Sequence, residues 1–252
     1  MEVHSLFNDY IKASELEHKN IETILEYLDK NSVHPTTLLP LIYFLLEKGT
    51  MRKYIKNKYF KAVYNKSRIN NKEYFAVLTS DQGSSNHIPN DIFEFSGKSE
   101  ALRYICNELL DNVYRHSNFK LSMVSARFYD SFMEFSVFDD GESIPGKFKK
   151  VGINIKEDYL AIAKALDGFS TEENIGTGLR SSLKITTGGM GGKFLVSSSR
   201  GALYFKCFDK GDHYDIEHLH GTLVSLSVPT PIKNINIYGS FIKDDGEEVF
   251  YL

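Results

Sequence analysis

Apolar residues recur at helical spacing through residues 14–30, SELEHKNIETILEYLDK, where Leu16, Ile21, Ile24, Leu25 and Leu28 form one stripe. The pattern predicts a helix with Ser14 as its cap. A second, more uniformly apolar helix is predicted to follow Pro35 and end near Gly49. Residues 74–79, YFAVLT, read as a buried strand. The stretch DQGSSNHIPND, Asp81 to Asp91, is rich in Gly, Ser, Asn and Pro and marks a linker. A domain boundary is expected there or just after it, which leaves residues 1–95 as a smaller α/β or helical N-terminal domain.

From Ser99 the pattern changes. SEALRYICNELLDNVYRH carries Leu102, Ile105, Cys106, Leu109 and Val113 on a clear helical stripe. LSMVSARFY and FMEFSVF follow as two strand runs meeting at Asp130-Ser131, an antiparallel hairpin. A less regular segment runs from Gly146 to about Asn174, with one short helix around Tyr159 to Leu166. After the Gly-rich stretch IGTGLRSSLKITTGGMGG come strands at KFLVSSS, ALYFKCF and GTLVSLSVP. Residues 96–231 thus predict an α+β sandwich, with a mixed, largely antiparallel sheet and helices on one face. Residues 232–252 are left as a C-terminal hairpin or tail.

Bulk properties narrow the function classes. The 252 residues are 42% hydrophobic and 25% charged, with net charge -3, so no global field draws the chain to nucleic acid or membranes. Cys106 and Cys207 fit neither a metal spacing nor a disulfide framework. The longest apolar stretch, Leu38 to Leu46, is broken by Pro40 and falls short of the ~20 residues a spanning helix needs. The N-terminus has no basic region followed by an apolar run, so no signal peptide is expected. A soluble, cytoplasmic protein is the expectation. Between Lys48 and Lys72 the chain is basic, lacks acids and interleaves Tyr54, Tyr59, Phe60 and Tyr64. That suits either a surface for an anionic partner or a solvated helix face with an aromatic underside, and the latter is the commoner use of a charge run.

Four short elements carry candidate chemistry. Glu108, Asn112 and His116, at i, i+4 and i+8, form a polar ridge beside the apolar stripe, since each step of four advances about 40° beyond a full turn. Glu108 suits a base or water-positioning role, and the Asn112 amide oxygen is a hard ligand for Mg²⁺. Alone, such a ridge reads as the polar flank of an amphipathic helix. The second element is Asp139-Asp140-Gly141 with Ile144-Pro145. An Asp at a strand end can accept a hydrogen bond from an exocyclic amine, and Ile144 can cover the ring face. The same tripeptide at Asp244-Asp245-Gly246 reads only as a turn. The third is Ile175-Gly176-Thr177-Gly178-Leu179 opening a helix, where glycines let backbone amides approach phosphate. The fourth is Gly221-Thr222 at the start of a strand.

In this order (E-x-x-x-N-x-x-x-H, D-x-G-x-x-I-P, G-x-G-L, G-T) the elements resemble the Bergerat ATP-binding fold. Gyrase, heat-shock chaperones, histidine kinases and mismatch-repair ATPases, the GHKL superfamily, share that fold. The likeness spans about residues 96–230. It implies ATP and Mg²⁺ as cofactors, Glu108 as general base and Asn112 as the Mg²⁺ ligand. It implies His116 near the phosphates, and Asp139 reading adenine with Gly141 and Ile144 as pocket partners. Gly176, Thr177, Gly178 and Leu179 fall in the phosphate-facing lid, and Thr222 assists Asp139. Two departures stand out. Ser143 replaces the second Gly of D-x-G-x-G, and Arg180 follows Leu179 where the lid often has Gly.

The compact form with Glu108 present is most similar to bacterial anti-sigma-factor serine kinases and small stand-alone ATP-binding proteins. That implies transfer of the γ-phosphate to water or to a partner Ser/Thr. The alternative is a non-catalytic, ATP-gated protein-interaction module. VHPTTLLPLIYFLLEKG, Val33 to Gly49, faintly resembles the helix region of STAS-type domains, usual partners of such kinases. Expected partners are therefore a nucleotide and a regulatory protein, with a homodimer also compatible. Membrane contact is not expected, and nucleic-acid binding through Lys48 to Lys72 is the weakest reading.

Overall fold

The computed structural model describes residues 5–49, 57–60, 72–80, 99–168, 178–207, 211–233, 235 and 237. Three helices open it. In α1 (Leu6–Glu17) the Ser5 side chain accepts from the Asn8 amide. In α2 (Ile21–Lys30) Asn20 accepts from Thr23. The single helix expected over residues 14–30 is therefore two. Asn20 offers the backbone a cap in place of continued helix, and Ser14 lies inside α1, its hydroxyl on Glu217 at 3.2 Å. Pro35 opens α3 (Pro35–Glu47), which ends before Gly49 at φ +65.

Five antiparallel strands form one sheet: β1 (Glu73–Thr79), β2 (Leu121–Phe128), β3 (Phe132–Asp139), β4 (Lys193–Phe205) and β5 (Asp212–Pro229). Their spatial order is β1-β2-β3-β5-β4. Side chains alternate along each strand, so two sets of residues face two ways. On one side Val124, Phe135, Val137, Val196 and Leu226 meet α4 (Glu100–Asn112), α6 (Asp158–Leu166) and α7 (Gly178–Lys184) through Ile105, Leu109, Ile162, Leu166 and Leu183. On the other side Phe75, Met123, Phe138, Leu195 and Leu223 meet Leu6, Leu38, Leu41 and Ile42 of α1 and α3. Each such fully buried side chain contributes ~1.5–3 kcal/mol to folding.

The protein is thus a mixed α+β structure. The helices α4, α6 and α7 lie on one face of the sheet, as expected for residues 96–231, and α1 and α3 from before that region cover the other. The expected boundary near residue 95 is not a boundary of the sheet. β1, which precedes it, pairs along its whole length with Leu121–Arg127 of β2. A further helix, α5 (Ile144–Lys150), occupies ground expected to be irregular. Two strands expected at KFLVSSS and ALYFKCF are one, β4, bent by a bulge between Ser198 and Gly201 with Ser199 at φ 56. The bulge shifts the alternation by one, so that Val196 and Leu203 face the same core.

Among the described residues no helix is long and apolar enough to cross a membrane. The linker Asp81–Asp91, the Asp244-Asp245-Gly246 turn and most of the Lys48–Lys72 stretch lie outside the described residues. Within that stretch Tyr59 and Phe60 are fully buried and Lys58 pairs with Glu73 at 3.1 Å.

Candidate functional site

α4 does not stop as a plain α-helix. Residues Val113–Ser117 continue it as a π-helical turn, a feature that in helices often marks functional sites. Between this turn and the sheet a cleft of about 140 Å³ opens. That is about ten times the space a single water needs. Its floor is Val137 and Asp139 of β3 with Thr222 and Val224 of β5. Leu109, Asn112, Val113, His116 and Ser117 form one wall, and Ile144, Lys147, Phe148, Ala165 and Leu179 the other. A mostly apolar lining with a few convergent polar groups is the ordinary make-up of a small-molecule site.

Asp139 and Thr222 sit directly opposite one another in the β3–β5 ladder. Asp139 is only 4% exposed, and burial pushes its carboxyl up to about 7. The Gly141 amide, 3.0 Å from Oδ1, offsets part of that cost, while the nearby Ser117 hydroxyl donates to the Val113 carbonyl at 2.8 Å. Behind Thr222 stands Ser198, whose Oγ lies 2.9 Å from Thr222 Oγ1. Ser198 accepts from the Ile144 amide (3.0 Å) and donates to the Gly221 carbonyl (3.1 Å). A hydroxyl has one proton. With Ser198 donating to Gly221, Thr222 donates to Ser198 and keeps its own lone pairs as acceptors.

Two glycines make this floor possible. Gly221 has φ +90, and a Cβ there would lie 1.8 Å from the Asp139 carbonyl oxygen. At Gly141 a Cβ would lie 2.1 Å from the Ser117 carbonyl oxygen, so only Gly lets the loop run against the end of the α4 helix.

Six residues expected from four separate stretches thus meet at one cleft: Asn112, His116, Asp139, Ile144, Leu179 and Thr222. Asn112 Nδ2 is buried there with no hydrogen-bond partner among the described residues. Gly141 does not line the cleft but holds Asp139. Glu108 stands apart. It is half-buried, faces Tyr104, and its Oε2 lies 2.1 Å from where a Cβ on Gly178 would be, at the first turn of α7. Burial holds its carboxyl above the usual carboxylate range, against an opposing hydrogen bond from Tyr104. Gly176 and Thr177 lie outside the described residues.

Three neighbours are held by local bonds. Asp140 Oδ1 accepts from the amides of Lys120 (2.8 Å) and Leu121 (2.9 Å) and so caps the start of β2. Ser143 caps α5, accepting from the Gly146 amide at 3.1 Å with φ -64, so glycine is not required there. Arg180 donates to the Asp167 carbonyl at 3.3 Å, tying α7 to the end of α6.

Ser198, Ser117 and Lys147 were not legible as site residues. Lys147 had a signal, since Ser143 and Pro145 together announce a helix start that carries it to the cleft. Ser198 had none beyond a serine run inside a strand. No family model matches the chain, and no curated protein matches it.

Proposed function

We propose that the cleft binds ATP with Mg²⁺ as a Bergerat-type site of the GHKL kind. The observation that carries this reading is the convergence of Asn112, His116, Asp139, Ile144, Leu179 and Thr222 on one cleft, from motifs far apart in the chain. In its ionised form Asp139 accepts a hydrogen bond from an exocyclic amine. Thr222, set by Ser198, offers a second acceptor beside it. Ile144 and Phe148 supply apolar cover for a planar ring. His116 and Lys147 bring positive or donor groups to the wall, where phosphate charge is neutralised. The Asn112 side chain fits a hard cation by its amide oxygen, and its unpartnered Nδ2 suits a phosphate oxygen. Mg²⁺, when bound with the nucleotide, spreads the charge of the β- and γ-phosphates.

Calorimetry with ATP and Mg²⁺ tests the site. Wild type is expected to bind, and Asp139→Asn to bind at least tenfold more weakly. No binding to wild type, or equal binding to the variant, overturns the reading.

Two outcomes of binding remain distinct. In the first, Glu108 orients water or a partner hydroxyl for γ-phosphoryl transfer, in a cytoplasmic regulatory protein that meets its protein acceptor at the cleft rim. In the second, nucleotide binding only gates partner capture. The position of Glu108 favours the second, since it is engaged with Tyr104 and the start of α7 and does not line the cleft. ATP turnover decides. Turnover lost in both Glu108→Ala and Asn112→Ala supports transfer, and binding without turnover supports gating.

A further inference from the structure

The opposite face of β3 carries a cluster that the nucleotide reading does not use. Asp9 lies in the first turn of α1, His34 is the residue before α3, and Glu134 points from β3 toward both. His34 Nδ1 is 2.8 Å from Glu134 Oε2 and 3.6 Å from Asp9 Oδ2. All three ligand atoms fall within 4.8 Å of one another. Three segments separated widely in sequence thus aim one nitrogen and two carboxylate oxygens at a common point.

We propose that Asp9, His34 and Glu134 form a zinc-type divalent cation site that clips α1 and α3 to the sheet. Glu134 is fully buried, and a cation beside it offsets the cost of burying its charge. The spacing fits. Metal bonds of ~2.0–2.2 Å at tetrahedral angles place donor atoms roughly 3.3–3.6 Å apart, within small side-chain shifts of the distances found.

The surroundings of the cluster are those of a supported ligand set. Glu134 Oε1 is filled by the Thr36 amide (2.8 Å) and hydroxyl (2.6 Å), which leaves Oε2 turned to the cluster. Thr37 donates to the Asp9 carbonyl at 2.8 Å and fixes α1 against α3. The Tyr129 ring stacks on His34 at 4.7 Å and sets the imidazole plane. Partners of this kind orient ligands in metal sites. The side chains of His34 and Asp9 remain 27% and 19% exposed, which gives a cation a way in and leaves a fourth position for water. One imidazole with two carboxylates suits Zn²⁺ better than Mg²⁺ or Ca²⁺, which prefer all-oxygen shells. Nδ1 ligates only as neutral imidazole, so metal bonds replace the His34–Glu134 hydrogen bond.

The test uses the full chain, stripped with chelator and titrated with ZnCl₂ by calorimetry. One Zn²⁺ per chain is expected, with a rise in melting temperature. Asp9→Asn and His34→Gln should each weaken binding at least tenfold, while His218→Gln, on the exposed part of β5, should not. No binding to wild type, or binding that survives both Asp9→Asn and His34→Gln, overturns the site. Should either variant fail to fold, Co²⁺ added to wild type still decides. Visible absorption of a four-coordinate nitrogen–oxygen site is expected, and its absence at saturating Co²⁺ overturns the proposal.

Discussion

β3 buries two carboxylates on opposite faces of one sheet, and the chain treats them differently. Glu134 faces α1 and α3, is fully buried, and has donors on both oxygens from Thr36 and His34. Asp139 faces α4 and α5, is 4% exposed, and receives one backbone amide. Burial costs both charges hydration. Only at Glu134 do the chain's own donors replace most of it. At Asp139 the shortfall shows as a carboxyl pushed up to about 7. A buried acid held by donors ties its neighbours to the fold, as Thr36 ties Glu134 whether His34 or the proposed cation meets its other oxygen. One left short of donors beside a cleft is available to a ligand.

The comparison is broken most directly at Glu134. Glu134→Ala strands the Thr36 amide and hydroxyl and the His34 imidazole, so a loss of ~3–5 kcal/mol is expected by urea denaturation. A loss below about 1 kcal/mol would show that the donors do not hold the helices to the sheet. Next in size is Gly221→Ala, whose Cβ would drive into the Asp139 carbonyl at a backbone angle that disfavours side chains. Strain and displacement together are expected to cost ~2–4 kcal/mol. ATP affinity should fall with it, because the Asp139–Thr222 pair is spread. Unchanged stability would mean that the strand ends are not in close contact.

Asp139→Asn should do the reverse of Glu134→Ala. A carboxyl at about 7 in the folded chain and 3.8 when free in water is more readily protonated when folded. Its burden on stability is absent below pH ~4, grows as pH rises through 4–7, and is complete above pH ~7. The full span corresponds to ~4 kcal/mol at most, by about 1.4 kcal/mol per unit. The variant is therefore expected to be more stable than wild type by ~1–3 kcal/mol at pH 8, with the gap closing near pH 4, while binding nucleotide at least tenfold more weakly. Denaturation curves at both pH values check it. A variant less stable than wild type at pH 8 reverses the contrast between the two acids.

How legible these features were depended on whether local pattern or distant contact decides them. Ser99 and the stripe Leu102, Ile105, Leu109 announce α4, and alternation announces β2 and β3, because period and capping are local. The same alternation puts Asp139 on the face of Val137 and Glu134 on the other, but not what covers either face. That α3 lies under β3 rests on apolar surface shared across about 100 residues, such as Leu38 and Phe138. Asn20 interrupts the helical periodicity of residues 14–30 without breaking the apolar stripe, and its role as a cap shows only in its bond to Thr23. The π turn at Val113–Ser117 has no composition signature. It alters the step from Asn112 to His116, which both line the cleft, while Glu108, one turn earlier on regular α-helix, does not, so the ridge is two groups with different neighbours.

ATP affinity should follow the same ionisation. Only the ionised Asp139 accepts from an amine, and a group with its midpoint near pH 7 is mostly ionised at pH 8 and mostly neutral at pH 6. A weakening of about tenfold is expected from pH 8 to pH 6, absent in Asp139→Asn. Calorimetry at constant ionic strength checks it. A flat profile in wild type would place the amine contact elsewhere in the cleft.

The smallest effect sharpens the loop that joins Asp139 to α5. Ser143 stands where the ATP-binding motif that this stretch resembles has glycine, yet its φ of -64 asks for no glycine, and its hydroxyl caps α5 through Gly146. The two demands separate by substitution. Ser143→Ala removes the cap and keeps the backbone preference, so a loss of ~1 kcal/mol is expected. Ser143→Gly removes the hydroxyl too, but glycine is itself a tolerated N-cap, so only a few tenths of a kcal/mol are expected. A loop that needed a left-handed turn would instead be stabilised by Gly. Because α5 carries Ile144, Lys147 and Phe148 into the cleft, fraying of its first turn should weaken ATP binding in Ser143→Ala more than in Ser143→Gly. The opposite order would mean that the helix start does not position those three side chains.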